Sequence, residues 1–188
     1  MAKRAFIIHG WDSNPQEGWL PWLKKELEKK GFEVIIPAMP NTNEPDINSW
    51  VFKLREFVGR DDGELILIGH SIGCQTIMRF LEKEDYKSKV GKVIFVAGWF
   101  KLSNLEDKAV EKIAKPWMNN RIDFNKVKQK ISKIIIFLSS NEPYGHVNEN
   151  KKIFEEKLEA KVIILKNKGH FTEDDGVRKL PEILEFLE

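Results

Sequence analysis

Six short apolar runs, separated by helical patterns, constrain the fold of this chain more than any other feature. They are Ala5–His9, Glu33–Ile36, Glu64–Ile68, Lys92–Ala97, Lys133–Leu138 and Lys161–Leu165, all rich in Ile, Val and Phe. Nearly continuous apolar character over so few residues is that of strands buried on both faces. Between them, Trp19–Lys30 sets Leu20, Leu23 and Leu27 on one stripe and stops at Gly31, a fitting C′ residue. Ile47–Val58 carries Ile47, Trp50, Val51, Leu54, Phe57 and Val58 at helical spacing. Further helices are expected at Ile72–Glu84, Leu105–Ile113, Asn148–Leu158 and Gly176–Leu187, the last kinked or restarted by Pro181. Strand and helix in alternation predict a three-layer α/β/α sandwich around a mostly or wholly parallel sheet. Right-handed crossovers then bring every strand's C-terminal end to one rim, where sites in such sheets lie.

Length and composition narrow the reading. A chain of 188 residues suits one domain over 1–188, and 41% hydrophobic residues can supply its core. Thirty-one basic side chains face twenty-nine acidic ones, which argues against a nucleic-acid binder. Lys-rich stretches such as Lys24–Lys30 are interspersed with Glu and read as a solvated helix face. The single cysteine, Cys74, excludes an internal disulfide and a zinc cluster built on Cys pairs. No metal or other cofactor is expected. No apolar run reaches the roughly 18–20 residues of a membrane span. The run Ala5–Ile8 is too short for a signal peptide, so a cytoplasmic protein, monomeric or weakly dimeric, is the expectation.

One segment breaks the rhythm. Gly98–Asn125 is long for a crossover and holds Trp99, Phe100, Pro116, Trp117 and Met118. Beyond its expected helix, 98–125 reads either as a small lid or pocket wall, or as a long crossover whose aromatics pack on the sheet.

The sharpest local signal is Gly69-His70-Ser71-Ile72-Gly73, directly after one buried strand and directly before a helix. In Gly-x-Ser-x-Gly at a strand–turn–helix junction, the serine takes a strained backbone conformation and its hydroxyl projects above the sheet. Side chains at Gly69 and Gly73 would collide with the neighbouring strand and helix. The helix N-terminus leaves unpaired N–H groups beside Ser71, and that of Ile72 is a candidate oxyanion donor. Gly-x-Gly-x-x-Gly, a P-loop and His-Glu-x-x-His are all absent.

A serine hydroxyl needs a base, and the base needs an orienting acid. Of the four histidines, His70 sits inside the turn itself and His9 comes too early for the Ser, acid, His order of this architecture. His170 follows the last strand in Lys168-Gly169-His170-Phe171 at the functional rim and is assigned as the base; His146 is read as a rim or surface residue. The acid should follow the preceding strand, in Ser139-Ser140-Asn141-Glu142-Pro143-Tyr144-Gly145-His146, whose one carboxylate is Glu142. Asp174 and Asp175 are rivals, read as capping the last helix or facing solvent. A second oxyanion donor is expected after the first strand, in His9-Gly10-Trp11-Asp12, with the N–H of Trp11 as candidate, unless His9-Gly10 is only a strand-ending turn.

The chain has six tryptophans, and most are expected in core stripes. Trp11, Trp99 and Trp117 fall in rim loops and are candidates to line an apolar acyl pocket. Cys74, one turn past Ser71, reads as a small buried hydrophobe.

Taken together these residues resemble a known family. The opening Phe6-Ile7-Ile8-His9-Gly10-Trp11, Trp19-Leu20-Pro21-Trp22-Leu23, Ala38-Met39-Pro40-Asn41, Gly69–Cys74, Lys115-Pro116-Trp117 and Gly169–Gly176 are similar to the small serine hydrolases of the retinoblastoma-binding-protein-nine and YdeN type, closer to YdeN. The resemblance implies a minimal α/β-hydrolase fold of about six strands and hydrolysis of small carboxylic esters through an acyl-enzyme. The family's nucleophile and base fall on Ser71 and His170. The family usually carries an aspartate where this chain has Glu142, whose extra methylene demands a different approach to the imidazole. That departure, and a protein partner known in the family, leave an alternative: a catalytically weak module that keeps the fold for protein interaction.

Overall fold

In a computed structural model of the protein, which describes residues 3–59, 64–83 and 90–187, all six apolar runs form strands. These are β1 (Lys3–Ile8), β2 (Phe32–Ile35), β3 (Glu64–His70), β4 (Val90–Val96), β5 (Ile131–Ser139) and β6 (Lys161–Leu165). Every pairing is parallel and the order is β2-β1-β3-β4-β5-β6. The chain runs from β1 outward to β2, crosses back to place β3 on the other side of β1, and then proceeds one way. The reversal opens a crevice between the loops that follow β1 and β3, where an open α/β sheet accepts ligands.

Among the described residues six α-helices cover the faces: α1 (Leu20–Lys29), α2 (Ile47–Val58), α3 (Ile72–Leu81), α4 (Lys108–Asn119), α5 (Phe124–Gln129) and α6 (Val147–Leu158). The period of two along each strand sorts the core into two halves. Ala5, Ile7, Ile66, Ile68, Ile94, Val96, Ile135 and Phe137 pack against α1 and the C-terminal segment. Their neighbours Phe6, Ile8, Leu65, Leu67, Val93, Phe95, Ile134 and Ile136 pack against α2, α3 and α6. Apolar residues on both faces explain why the strands read as continuous runs rather than alternating ones.

Some element boundaries differ from expectation, each for a local reason. The helix in the long β4–β5 connection starts at Lys108, not Leu105, because the Asp107 carboxylate accepts the N–H groups of Ala109 and Val110 at 2.7 and 2.9 Å. It then runs past Pro116 to Asn119. The short α5 escaped the periodicity, being six residues long, yet Asp123 caps it through the Lys126 N–H at 3.1 Å. The last expected helix, Gly176–Leu187, is instead a 3₁₀ segment over Pro181–Phe186. Its bonds from Ile183 N–H to Leu180 and from Leu187 N–H to Leu184 span three residues. Pro181 has no N–H and holds Leu180 away from helical geometry. Helix α3 ends at Leu81, and the expected end at Glu84 lies outside the described residues.

Candidate active site

The turn at Ser71 joins β3 to α3 at the open rim. Ser71 adopts φ 52° and ψ −119°, a left-handed conformation that a non-glycine residue holds only under constraint. The constraint is visible on both sides. The Ser71 N–H donates to the Val96 carbonyl at 2.9 Å, fastening the turn to β4. Helix α3 begins so close to β1 that a Cβ on Gly73 would overlap the Ile8 carbonyl oxygen, and one on Gly69 would lie 2.7 Å from the Cys74 nitrogen. Cys74 is buried beneath the turn, donating its thiol toward Gly69 and Val96 carbonyls. Burial pushes that thiol far up, out of reach of thiolate chemistry.

His170 and Glu142 reach Ser71 from two other loops. The Ser71 hydroxyl lies 2.8 Å from His170 Nε2, and His170 Nδ1 lies 2.8 Å from Glu142 Oε1. A carboxylate only accepts, so Nδ1 carries the ring proton and Nε2 is left to accept from the serine. Both side chains are close to nine-tenths buried, His170 12% and Glu142 11% exposed. Burial of this kind weakens solvent screening between them. On its other side, Ser71 Oγ accepts the indole N–H of Trp99 at 3.3 Å. Trp99 therefore touches the hydroxyl itself rather than serving only as a pocket wall.

Asp175 does not approach the imidazole. Its Oδ2 accepts the backbone N–H groups of His170 and Thr172 at 2.8 and 3.1 Å and the Thr172 hydroxyl at 2.7 Å. It thus folds the loop that presents His170, rather than capping a following helix. Gly169, at φ 54°, packs so tightly on this carboxylate that any Cβ would strike it. The Gly169 N–H donates to Asn141 Oδ1 at 2.9 Å, tying the His170 loop to the loop of Glu142. Asp174 is exposed.

Two histidines that flank the site are held neutral. His70 is buried, its Nε2–H donates to the His170 carbonyl at 2.8 Å, and burial, then the charge of His170, push its pKa down to about 3. It braces the His170 backbone without adding a second positive charge beside the ring. His9 accepts the Met39 N–H on Nε2 at 3.1 Å, so its Nδ1–H donates to the Gly10 carbonyl at 2.9 Å. Burial lowers its pKa too. Neither role is legible in the sequence, which shows only that both rings are poorly placed to act as the base. A stability consequence follows from His70. Between about pH 6.5 and about pH 3 the unfolded chain binds a proton there that the folded chain does not. Stability is therefore lost as pH falls, by about 2 kcal/mol between pH 7 and pH 5 from this ring. Urea midpoints at the two pH values should show the loss in the wild type and a smaller one in His70→Gln; equal losses would mean His70 is not held neutral.

The N–H of Ile72 opens α3 and has no acceptor within its helix. The N–H of Trp11 likewise has no acceptor among the described residues. The β1–α1 loop that presents it is anchored by Asp12 N–H to Thr42 carbonyl at 2.8 Å and by the Trp11 indole N–H to Asn43 carbonyl at 3.0 Å.

A cavity of about 340 Å³ opens above Ser71. Trp11, Trp19 and Trp99 line it with Leu20, Leu102 and Leu105, and α4 contributes Val110 and Ile113. The 98–125 segment thus supplies both a wall of this cavity and part of the core. Trp117 belongs to the core and not to the cavity, correcting the expectation from its place in the chain. It is 1% exposed, donates its indole N–H to the Pro45 carbonyl at 3.0 Å, and meets Trp50 edge-on. Helix α4 extends beyond its expected end to Asn119, and Trp117 sits on its buried face with Ala114. Trp19, expected in the core, is buried yet reaches the cavity floor. Tyr144, which no sequence pattern marks, meets the His170 ring edge-on with centroids 4.9 Å apart.

A sequence model of the serine hydrolases matches residues 5–188. The chain belongs to the serine hydrolase family. Among similar proteins, YdeN of Bacillus subtilis (strain 168) is 28% identical over 188 residues, covering 100% of this chain and 95% of its own. The serine hydrolase RBBP9 of Rattus norvegicus is 28% identical over 156 residues, 82% of this chain and 78% of its own. The crystal structure of the B. subtilis ydeN gene product superposes with a TM-score of 0.88 at 26% identity, over 99% of this chain and 97% of that one. This serine hydrolase therefore has the α/β-hydrolase-like fold of YdeN. A carboxylesterase structure from Nitrososphaera gargenis, 15% identical with a TM-score of 0.71 over 99% and 88% of the two chains, shares the fold alone. No helix among the described residues is long and apolar enough to cross a membrane.

Proposed function

We propose that this serine hydrolase cleaves small carboxylic esters through an acyl-enzyme on Ser71. The observation that carries the reading is the unbroken hydrogen-bond chain from Ser71 Oγ through His170 to Glu142 at the floor of an apolar cavity. Ser71 Oγ attacks the acyl carbonyl while its proton passes to His170 Nε2. Glu142 stabilises the imidazolium, and the N–H groups of Trp11 and Ile72 receive the developing oxyanion. His170 then returns the proton to the departing alkoxide, leaving the acyl group on Ser71. In the second half His170 takes a proton from water, the hydroxide attacks the acyl carbon, and Ser71 leaves as its proton is restored. The Trp99 indole N–H donates to Oγ in both halves, favouring the charge that oxygen gathers on attack and on departure.

The test is active-site labelling. A fluorophosphonate should modify the wild type at Ser71, and neither Ser71→Ala nor protein pre-treated with the same reagent should take up label. Labelling that survives Ser71→Ala would overturn the assignment.

The cavity also predicts which esters are accepted. Its volume lies near the lower end for ligand sites, fitting short acyl chains. Asp12, Glu17, Glu106 and Glu173 line it, and no Lys or Arg does among the described residues. An ester bearing a terminal carboxylate should therefore show kcat/KM about tenfold below its neutral counterpart at low ionic strength, with the gap narrowing in salt. Equal values for the two esters would show that the mouth imposes no charge selection.

A further inference from the structure

A second concavity lies on the far side of Trp99, away from Ser71. It is a groove of about 680 Å³ between the end of α4, the start of α5 and α6. Phe100, Met118, Ile122, Phe124 and Ile153 wall it, all partly exposed. Phe100 and Phe124 meet edge-on at 5.3 Å, Phe100 also packs on Phe154 at 4.7 Å, and both rings keep part of their surface exposed to the groove.

Two further features say what would bind. At the bottom lies Gln75, only 1% exposed. Its Nε2–H donates to the Trp99 carbonyl at 2.7 Å, which fixes the amide's orientation, and its Oε1 accepts no hydrogen bond among the described residues. A buried acceptor without a donor is rare in folded proteins and calls for one. At the rim stand Lys101, Arg121 and Lys157, and every Lys, Arg, Asp or Glu lining the groove is one of these cations. None of the three makes a salt bridge among the described residues, although Lys101 lies close enough to Glu149 to favour its charge. The groove is thus opposite in sign to the cavity above Ser71, whose charged lining is acidic.

We propose that this groove is a second binding site, taking a small aromatic carboxylate with a hydroxyl or amide donor at the end remote from the carboxylate. The ring packs across the exposed edges of Phe100 and Phe124, the carboxylate meets Arg121 and Lys157, and the donor satisfies Gln75 Oε1. Such a ligand supplies what each part of the groove lacks: an apolar plane, an anion and a hydrogen.

The probes are 4-hydroxyphenylacetate, phenylacetate, which lacks the donor, and 4-hydroxyphenethyl alcohol, which lacks the charge. Each is titrated calorimetrically into the full chain, and its position is read from chemical-shift changes of the Gln75 side-chain amide. Phenylacetate should bind about fivefold more weakly than 4-hydroxyphenylacetate, and the alcohol about tenfold more weakly. Arg121→Glu combined with Lys157→Glu, both at exposed positions, should erase the preference for the carboxylate and leave ester hydrolysis unchanged. Gln75→Leu should erase the preference for the hydroxyl. The proposal is overturned if the three probes bind alike, if none binds at millimolar concentration, or if the shifts fall at Trp11 and Trp19 and the charge reversals change nothing. None of these outcomes touches the fluorophosphonate result, so the second site and the ester-cleaving reading fail separately.

Discussion

Ser71→Ala is expected to lower kcat for a neutral short-chain ester about 10⁵-fold or more, with a residue of activity owed to the oxyanion donors and binding alone. The loss should be confined to chemistry. Alanine keeps the Cβ and inherits the same φ of 52°, so the strain of the turn is unchanged and the folded state should melt close to the wild type. Ser71→Gly makes the complementary case, since glycine accepts that conformation freely and should raise the melting temperature while being equally inactive. A Ser71→Ala enzyme that retains even a hundredth of wild-type kcat on esters would remove the serine from the reaction.

Glu142→Gln carries the second large effect, a fall in kcat of about 10⁴. Its cause is tautomeric. Glu142 Oε1 lies 2.8 Å from His170 Nδ1 and, as a carboxylate, obliges that nitrogen to hold the proton. An amide can present its NH₂ instead, which turns Nδ1 into an acceptor and puts the proton on Nε2, facing the serine it should deprotonate. Glu142→Asp keeps the charge but withdraws it by a methylene and should fall between the two. Asp175→Asn is the contrasting variant. Its side-chain oxygen can still accept the N–H groups of His170 and Thr172, so its cost should stay within about tenfold. Rates for Glu142→Gln near those of the wild type, with a collapse in Asp175→Asn, would move the acid to Asp175. Near-normal turnover in both would mean that the acid lies elsewhere.

Much of this arrangement could be read from the chain because its causes are local. A buried parallel strand must be apolar on both faces, so six such runs announce themselves without any knowledge of their order. The tight turn around Ser71 needs Gly69 and Gly73 for steric reasons that act within five residues. Glu142 and His170 are candidates by elimination: each is the one residue of suitable chemistry in a loop that the alternation of strand and helix carries to the rim. The interpretation of Asp175 was incomplete because its partners are backbone N–H groups, which leave no trace in side-chain type. Trp117 misled for a related reason. Its placement depends on how far α4 continues past Pro116, and a proline in a last turn only weakly signals where a helix stops.

What the sequence determined by itself was the layered α/β architecture, and it pointed to one candidate hydroxyl and two candidate side chains to activate it, because periodicity, turn sterics and chemical type are properties of short stretches. What only the tertiary structure decided was which surfaces face one another: Trp99 against Ser71 Oγ, neutral His70 under the His170 loop, acidic side chains around one cavity and basic ones around another. Those relations join residues from tens to a hundred positions apart in the chain. They are set by the order of strands in the sheet and by packing in its two cores, which no local pattern encodes.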